Sequence, residues 1–185
     1  MKKRLYLLRH GQTELNLRHI AQGRIDSPLT ELGKSQAKNA RDYFKENNIV
    51  FDNVYVSPLG RAKQTAEIAY DKEAIVKEKL IEMDFGEIDG KDWELARKYN
   101  GDFRSIGGEC IDSLGQRVYE ELSEIMAIDG NNIVLAVSHA TAGRAFYYKV
   151  EGYDENFKVP NCGICIYDYT DGKFSFVELV DVNND

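Results

Sequence analysis

Histidine and arginine follow three strand-like stretches of this sequence, each at the point where the stretch ends. Arg9 and His10 follow the first stretch, Arg61 follows the second, and His139 follows an almost wholly apolar third. In open α/β sheets, ligands bind outside the carboxyl ends of the strands. We therefore expect the four side chains to meet at one edge of a sheet.

Two histidines and two arginines at one site suggest phosphoryl transfer through a histidine. A neutral imidazole attacks phosphorus and forms a covalent phosphohistidine. The charge of the transition state lies on three equatorial oxygens, and guanidinium groups bind these well because they are planar, permanently charged and bidentate. With enough cationic side chains, no metal ion is required. The sequence therefore predicts a phosphate site without a metal or other cofactor.

The segments that must position these residues alternate between strand-like and helix-like patterns. Short apolar runs predict strands at residues 4–8, 53–57, 74–77, 133–137, 163–169 and 174–180. Amphipathic stretches and their caps predict helices between Thr30 and Asn47 and at residues 58–70, 93–99, 111–128 and 140–150. The alternation predicts an α/β fold: a three-layer α/β/α sandwich, mostly parallel in its central sheet, with an antiparallel edge.

Local signals refine this arrangement. Residues 4–8 and 133–137 are almost wholly apolar, which favours central strands that are buried on both faces. Asp171 and Gly172 predict a tight hairpin turn. Pro58 is expected in the first turn of its helix. The helix capped by Thr30 has an expected apolar stripe of Leu32, Ala37, Ala40 and Phe44.

The composition is that of a globular chain. It has 185 residues, 43% hydrophobic and 30% charged, which is typical of a single domain over residues 1–185. The net charge of −7 argues against a nucleic-acid partner. No apolar run approaches the roughly 20 residues of a membrane helix, and residues 5–8 are too short for a signal peptide. Three cysteines make no disulfide framework, so we expect a cytoplasmic protein. Asp181 and Asp185 are interpreted as part of a solvated terminus.

Four blocks of the sequence resemble the signature motifs of one protein family, in order and with suitable spacing. They are residues 8–16 (LRHGQTELN), 22–30 (QGRIDSPLT), 57–66 (SPLGRAKQTA) and the pair Ser138-His139. By these motifs the chain resembles the histidine phosphatase superfamily, in the branch of phosphoglycerate mutases and related small phosphatases. The resemblance spans nearly the whole chain and implies a phosphoglycerate mutase-like fold.

The resemblance implies a role for each matching residue. His10 would be the nucleophile that becomes phosphorylated, and Arg9, Arg61 and His139 would form the phosphate pocket. Glu82 lies where the family has its proton donor, and it would later activate water. The positions implied to contact the substrate or its phosphate are Asn16, Gln22, Gly23 and the N–H group of Ala140.

Several other residues have a plainer interpretation. Asp84 and Glu87 compete with Glu82 for the acid role, and the family position favours Glu82. His19 lies in no such motif and is interpreted as a solvent-facing loop residue. The sequence also contains a C-x-x-C motif, which enters a strand instead of a helix N-terminus, so its thiols are interpreted as buried structural cysteines. These thiols belong to Cys162 and Cys165.

The segment of residues 85–108 is expected to be a lid that sets substrate preference. Trp93, Tyr99 and Tyr70 are equally consistent with lining this lid and with ordinary packing. The edge hairpin at residues 163–180 is a candidate for pairing with a second copy, which would give a homodimer.

Three functions fit these residues. The first is a metal-independent phosphatase that hydrolyses small phosphate monoesters. The second is a cofactor-dependent phosphoglycerate mutase, whose phosphoenzyme returns phosphate to the product; the mutases it resembles carry an insertion where residues 82–107 form a short connection. The third, ranked last, is an inactive phosphate-binding module, since the key residues are all present. The expected partner is a small phosphorylated metabolite: a sugar phosphate, a phosphoglycerate, a phosphorylated nucleoside of the cobalamin pathway or phosphoserine.

Overall fold

A computed structural model describes residues 2–183 of the chain, and the predicted solvated position of Asp185 lies outside them. Within this part the strands are β1 Lys3–Arg9, β2 Asn53–Val56, β3 Ala74–Val76, β4 Ile133–Ser138, β5 Ile164–Thr170 and β6 Lys173–Val180. The α-helices are α1 Glu14–Leu17, α2 Glu31–Glu46, α3 Gly60–Ala69, α4 Ile111–Ala127 and α5 Ala140–Glu151. No helix in the described part is both long and apolar enough to cross a membrane.

The six strands form one sheet in the order β3-β2-β4-β1-β5-β6. The pairs β2–β3, β2–β4 and β1–β4 are parallel, and the pairs β1–β5 and β5–β6 are antiparallel. The two most apolar strands, β1 and β4, are central, as predicted from their lack of polar residues. The parallel pairs therefore bring the ends of β1, β2 and β4 to one edge.

Helices cover both faces of this sheet. On one face α4 and α5 bury Leu114, Val118 and Phe146 completely. On the other face α2 and α3 bury Ala40 and Phe44 against the sheet. These two cores make the fold a three-layer α/β/α sandwich, which confirms the predicted fold class.

Two local predictions are wrong. Leu32 is 54% exposed because the buried stripe of α2 runs through Gly33, Ala37, Ala40 and Phe44, and Leu32 lies one residue off it. Pro58 precedes α3 instead of lying in its first turn, since the helix begins at Gly60. The start of α3 is fixed from outside, where the Asp26 carboxylate accepts the N–H groups of Gly60 and Arg61.

The structure of the edge hairpin and that of the C-x-x-C motif agree with the predictions from the sequence. Asp171 and Gly172 both have positive φ, 53° and 79°, as a two-residue hairpin turn requires. Cys162 and Cys165 are buried in the cores on opposite faces of the sheet. Burial raises the pKa of each thiol to about 12. Both are free thiols, in agreement with a structural role.

The segment expected to be a lid consists mainly of 3₁₀ turns at Gly86–Ile88, Trp93–Tyr99 and Arg104–Ile106. It is joined to the loop after α1 by backbone hydrogen bonds from Ala21 to Lys91 and from Trp93 to His19, both 2.9 Å long. The segment is therefore fixed against the residues that follow the first motif, next to the ends of the parallel strands.

Candidate active site

His10 follows β1 directly and is 3% exposed. Its Nδ1 lies 2.8 Å from the carbonyl oxygen of Gly11, which only accepts, so Nδ1 carries the proton. Its Nε2 therefore keeps a lone pair, and the Nε–H of Arg61 points at it from 3.3 Å. Burial, followed by the charges of Arg61 and Arg9, holds the pKa of His10 well below its usual value. The imidazole is neutral, and its nucleophilic nitrogen, Nε2, accepts only the hydrogen bond from Arg61 within the described residues.

The loop that carries His10 is packed tightly onto its neighbours. A side chain on Gly11 would overlap the carbonyl oxygen of Gly33, so the close approach of this loop to α2 requires glycine. The N–H of Gly11 donates to Oγ1 of Thr65, which donates in turn to the carbonyl oxygen of Arg61. The positions of His10 and of the α3 N-terminus are thereby linked.

Arg61 is 1% exposed in the first turn of α3. Its Nη2 donates to the carbonyl oxygen of Gly23 at 2.7 Å, and its Nη1 donates to that of Ile25 at 2.8 Å. Nη1 also lies 3.3 Å from the Asp26 carboxylate. Burial lowers the pKa of Arg61, and nearby carboxylates oppose that shift. The guanidinium is held by the loop of the second motif, and its Nε side faces His10.

Arg9, at the end of β1, presents a second guanidinium to the same space. Its Nη1 donates to the carbonyl oxygen of Val159 at 2.7 Å, while its Nε is buried and has no hydrogen-bond partner among residues 2–183. Burial lowers the pKa of Arg9 to about 10. A buried cationic donor without a partner is costly, and a bound phosphate oxygen would satisfy it.

His139 follows β4 and is 1% exposed at the N-terminus of α5. Its Nε2 lies 2.6 Å from Oγ of Ser57, and its Nδ1 has no hydrogen-bond partner in the described part of the chain. The rings of His139 and His10 are 5.2 Å apart. Burial, and then the charge of Arg61, lowers the pKa of His139 well below its usual value. Both histidines are therefore neutral.

Glu82 lies on the segment after β3 and is 5% exposed. One carboxylate oxygen accepts the N–H groups of Met83 at 2.8 Å and Ala142 at 2.9 Å. The other accepts the N–H of Thr141 at 3.0 Å. The carboxylate is thereby fixed at the N-terminus of α5, a favourable position for a negative group, one turn from His139.

Arg117, on α4, holds the segment that carries Glu82. It donates to the carbonyl oxygens of Lys79 (2.7 Å), Ile81 (2.8 Å) and Glu82 (3.0 Å). Its remaining donors reach the Glu109 carboxylate, at 2.7 and 3.2 Å. All five N–H groups of the guanidinium are therefore used, and the backbone that leads to Glu82 has little freedom to move.

These residues surround a cavity of about 400 Å³. Of the site residues predicted from the sequence, His139 does not line the cavity, and its ring packs against that of His10, which does. The other predicted residues all line it: Arg9, His10, Asn16, Gln22, Gly23, Arg61, Glu82 and Ala140. The competing acids do not: Asp84 pairs with Arg24 at 3.3 Å, and Glu87 is exposed. The geometry thus favours Glu82.

The residues of the first two motifs that line the cavity are fixed by different contacts. Gln22 accepts a hydrogen bond from Ser27 at 3.2 Å through Oε1. Gly23 has φ +43°, and a side chain there would overlap the Asp89 carboxylate. Asn16 lies within α1 and completes the capping box of Thr13, since its Oδ1 accepts the N–H of Thr13 at 3.2 Å. These contacts aim the cavity-facing atoms of the loop without occupying the cavity.

Sequence reasoning assigned no role to several residues that the structure brings to this site. Ser57 and Thr65 lie inside the third motif, so their block was visible although their contacts were not. Arg144, Lys158 and Asn161 also line the cavity, and no local motif marks them. Each reaches the site only through the chain fold.

The aromatic residues left open by the sequence divide between site and core. Trp93 lines the cavity and packs edge-on against Phe85 at 5.2 Å. Tyr99 packs against the phenyl ring of Phe103, and Tyr70 packs in the opposite core against Phe51. His19 is exposed, as predicted, and it lies at the cavity rim.

Within residues 2–183, no group of three or more His, Cys, Asp or Glu side chains is arranged to hold a metal ion. The fold and the site define an α/β protein that places a neutral histidine among arginines at the carboxyl ends of parallel strands. Residues 5–182 match the family described as the histidine phosphatase superfamily (branch 1). The chain belongs to this family.

Three relatives illustrate the range of activities in the family. Phosphoserine phosphatase 1 of Hydrogenobacter thermophilus is 36% identical over 165 residues, which cover 82% of this chain and 77% of that protein. A phosphoserine phosphatase mutant of Entamoeba histolytica, solved with phosphoserine, is 29% identical, with TM-score 0.85 and 97% of each chain covered. The phosphoglycerate mutase of Bacillus anthracis str. Sterne is 25% identical, with TM-score 0.88; 98% of this chain and 94% of that chain are covered. This chain is thus similar to phosphatases and to a mutase.

Proposed function

We propose that this protein is a metal-independent phosphatase that hydrolyses small phosphate monoesters through a phosphohistidine at His10. The observation that carries the proposal is the hydrogen bond of Nδ1 to Gly11, which leaves the lone pair on Nε2 facing the cavity guanidinium of Arg61. Burial keeps the imidazole neutral, which is the form that attacks phosphorus.

In the first step, Nε2 of His10 forms a bond to phosphorus as the ester P–O bond breaks. The leaving alkoxide takes a proton from the Glu82 carboxyl group, which becomes the carboxylate that the N–H groups of Met83, Thr141 and Ala142 bind. Arg9 and Arg61 bind the equatorial oxygens and stabilise their charge. The Nε of Arg9, which has no hydrogen-bond partner among residues 2–183, is a further donor for the phosphate, while His139 packs against the ring of His10 at 5.2 Å.

In the second step, water attacks the phosphorus of phospho-His10. The Glu82 carboxylate takes a proton from that water, so it returns to its starting state. The P–N bond breaks, and its electrons return to Nε2 as inorganic phosphate is released. Because Nδ1 keeps its proton throughout, the bond to Gly11 holds the ring in one orientation for both steps.

A mutase shares the first step and differs in what receives the phosphoryl group. The similarity to the Bacillus anthracis mutase favours keeping this second candidate. That structure is 94% covered by the present chain, so chain length does not separate the two activities. The phosphatase is preferred because a relative 36% identical is named a phosphoserine phosphatase. An inactive module is disfavoured because His10, Glu82 and both arginines share one cavity.

The test is a panel of phosphate monoesters assayed in the presence of a chelator. Free phosphate and 2-phosphoglycerate are scored together, with 3-phosphoglycerate among the substrates. We expect free phosphate without added metal, and no release from a His10→Gln variant. His19→Gln is the matched control, since His19 lies at the rim and has no role in either step. Conversion of 3-phosphoglycerate to 2-phosphoglycerate with little free phosphate would establish the mutase instead.

A further inference from the structure

The cavity is lined by more cationic side chains than the proposed reaction uses. Four cationic side chains line it, Arg9, Arg61, Arg144 and Lys158, together with the single carboxylate of Glu82. This excess is local, because the whole chain has a net charge of −7. In the proposed reaction, Arg9 and Arg61 match the two charges of a phosphate monoester. Arg144 and Lys158 therefore have no function in the steps described.

Arg144 lies one turn into α5, beyond the N-terminus that binds Glu82. Its Nε is buried and has no hydrogen-bond partner among residues 2–183. No ion pair within that part of the chain involves its guanidinium, whereas Arg61 is paired with Asp26. A buried guanidinium donor without a partner is costly, which favours an anionic ligand beside it.

Lys158 reaches the cavity on a segment that is bonded to the phosphate site. The carbonyl oxygen of the next residue, Val159, accepts the Arg9 hydrogen bond at 2.7 Å. Two residues further on, Nδ2 of Asn161 donates to the carbonyl oxygen of His10 at 3.1 Å. Lys158 is exposed and makes no ion pair within the described residues. The backbone on either side of Lys158 is therefore fixed next to the phosphate site, and its ammonium group is not engaged in an ion pair among the described residues.

Arg144 also lies at the boundary with a second cavity, of about 340 Å³. Phe85, Trp93 and Thr141 belong to both cavities, so the two are adjacent. A substrate with its phosphate at His10 has its leaving group on the side of Glu82, which binds the same helix N-terminus one turn before Arg144. The unpaired guanidinium thus faces the part of the site where the leaving group would lie.

We propose that Arg144 and Lys158 bind a carboxylate on the leaving group, so that the preferred substrates are phosphate monoesters of small hydroxy acids. The proposal rests on the phosphatase function and narrows it to one substrate class. It assigns to Arg144 the bidentate contact, because the guanidinium fork matches carboxylate geometry, and to Lys158 a second point charge.

The test compares 3-phosphoglycerate with glycerol 3-phosphate, which differ in the carboxylate. We expect wild-type kcat/KM to favour 3-phosphoglycerate by about tenfold or more, the usual effect of a charged hydrogen bond. Arg144→Gln should lower kcat/KM for 3-phosphoglycerate by about tenfold and change that for glycerol 3-phosphate less than about twofold. Arg144→Lys should restore part of the preference, and Lys149→Gln, on the exposed side of the same helix, should leave it unchanged.

Equal use of the two substrates by the wild type would overturn the proposal, and so would an equal loss on both in Arg144→Gln. A preference for fructose 1,6-bisphosphate over fructose 6-phosphate, without one for 3-phosphoglycerate, would show that the second anion is a phosphate and would also overturn it. Calorimetric affinities of His10→Ala for 3-phosphoglycerate and glycerol 3-phosphate test the subsite without turnover. If His10→Ala binds 3-phosphoglycerate more tightly than glycerol 3-phosphate while the wild type releases no phosphate, the phosphatase function would be refuted and the carboxylate subsite supported.

Discussion

The replacement of Glu82 by Gln separates the acid role of this residue from its structural role. The carboxylate accepts three backbone N–H groups, from Met83, Thr141 and Ala142. A Gln whose carbonyl oxygen takes the position shared by Met83 and Ala142 keeps two of these bonds. Its amide group then faces the N–H of Thr141, originally bonded at 3.0 Å. One buried donor loses its acceptor, which costs about 1–3 kcal/mol of folding free energy.

The catalytic effect should depend on the leaving group. General acid catalysis contributes about 10²–10⁴-fold, so kcat/KM for an alkyl ester such as 3-phosphoglycerate should fall by that factor in Glu82→Gln. p-Nitrophenolate leaves as a stable anion and needs no proton, so kcat/KM for p-nitrophenyl phosphate should fall less than about tenfold. The ratio kcat/KM isolates this step because it reports events up to the transfer of phosphate to His10.

The assay measures both esters with wild type, Glu82→Gln and the control Glu87→Gln. Glu87 is exposed on the same segment and lies outside the cavity, so its variant should match the wild type. Urea unfolding checks that Glu82→Gln remains folded at the assay temperature. An equal loss on both esters would refute the acid role and leave Glu82 a purely structural anchor. Retention of full activity on the alkyl ester would exclude Glu82 from the first step altogether.

The pKa values of His10 and His139 lie well below the usual value near 6.5, so below about pH 6.5 these histidines bind protons in the unfolded chain and not in the folded one. The stability from these two groups is thus fully present above that value and is lost as the pH falls. Between about pH 7.5 and about pH 5.5, the free energy of unfolding in urea should fall by about 1.4 kcal/mol per histidine, and His10→Gln should lack the loss that is due to His10. A stability that does not depend on pH would contradict the lowered pKa values. Arg117→Met should destabilise the fold by about 2–4 kcal/mol and lower kcat/KM for the alkyl ester more than for the aryl ester, because the backbone that carries Glu82 loses its support. Arg117→Lys should recover part of the stability and part of kcat/KM, and equal losses of kcat/KM on the two esters would mean that Arg117 does not act through Glu82. In the native protein only the thiol of Cys110 should react with a disulfide reagent, because its hydrogen bond with Ser113 lowers its pKa, and Cys110→Ser should abolish the reaction. Rapid modification of Cys162 or Cys165 would contradict their burial.

The parts of the fold that follow from the sequence are those governed by local periodicity. The apolar runs of β1 and β4 indicate central strands, and Asp171-Gly172 indicates the hairpin. One error, at Leu32, is a misplaced helix stripe, and the other occurs where a distant residue decides the outcome. The Asp26 carboxylate sets the start of α3, two residues after Pro58, and a carboxylate from another loop has no local signal.

The same division holds in the active site. The strand ends alone indicate His10, Arg9, Arg61 and His139. The choice of Glu82 as the acid, over its neighbours Asp84 and Glu87, depended on the family motif. Arg117 and Arg144 lie in ordinary amphipathic helices, and only the packing of α4 and α5 brings them to the site. The expected single domain, cytoplasmic location and homodimer stay predictions.

The most direct test of the account is to trap the phosphoenzyme. The wild type is mixed with substrate in chelator and quenched at alkaline pH, where phosphohistidine survives, and its peptides are analysed by mass spectrometry. The account predicts one transient phosphate, on the peptide containing His10, that appears before free phosphate and is absent in His10→Gln. Steady turnover with no phosphate on His10, or turnover retained by His10→Gln, would contradict it.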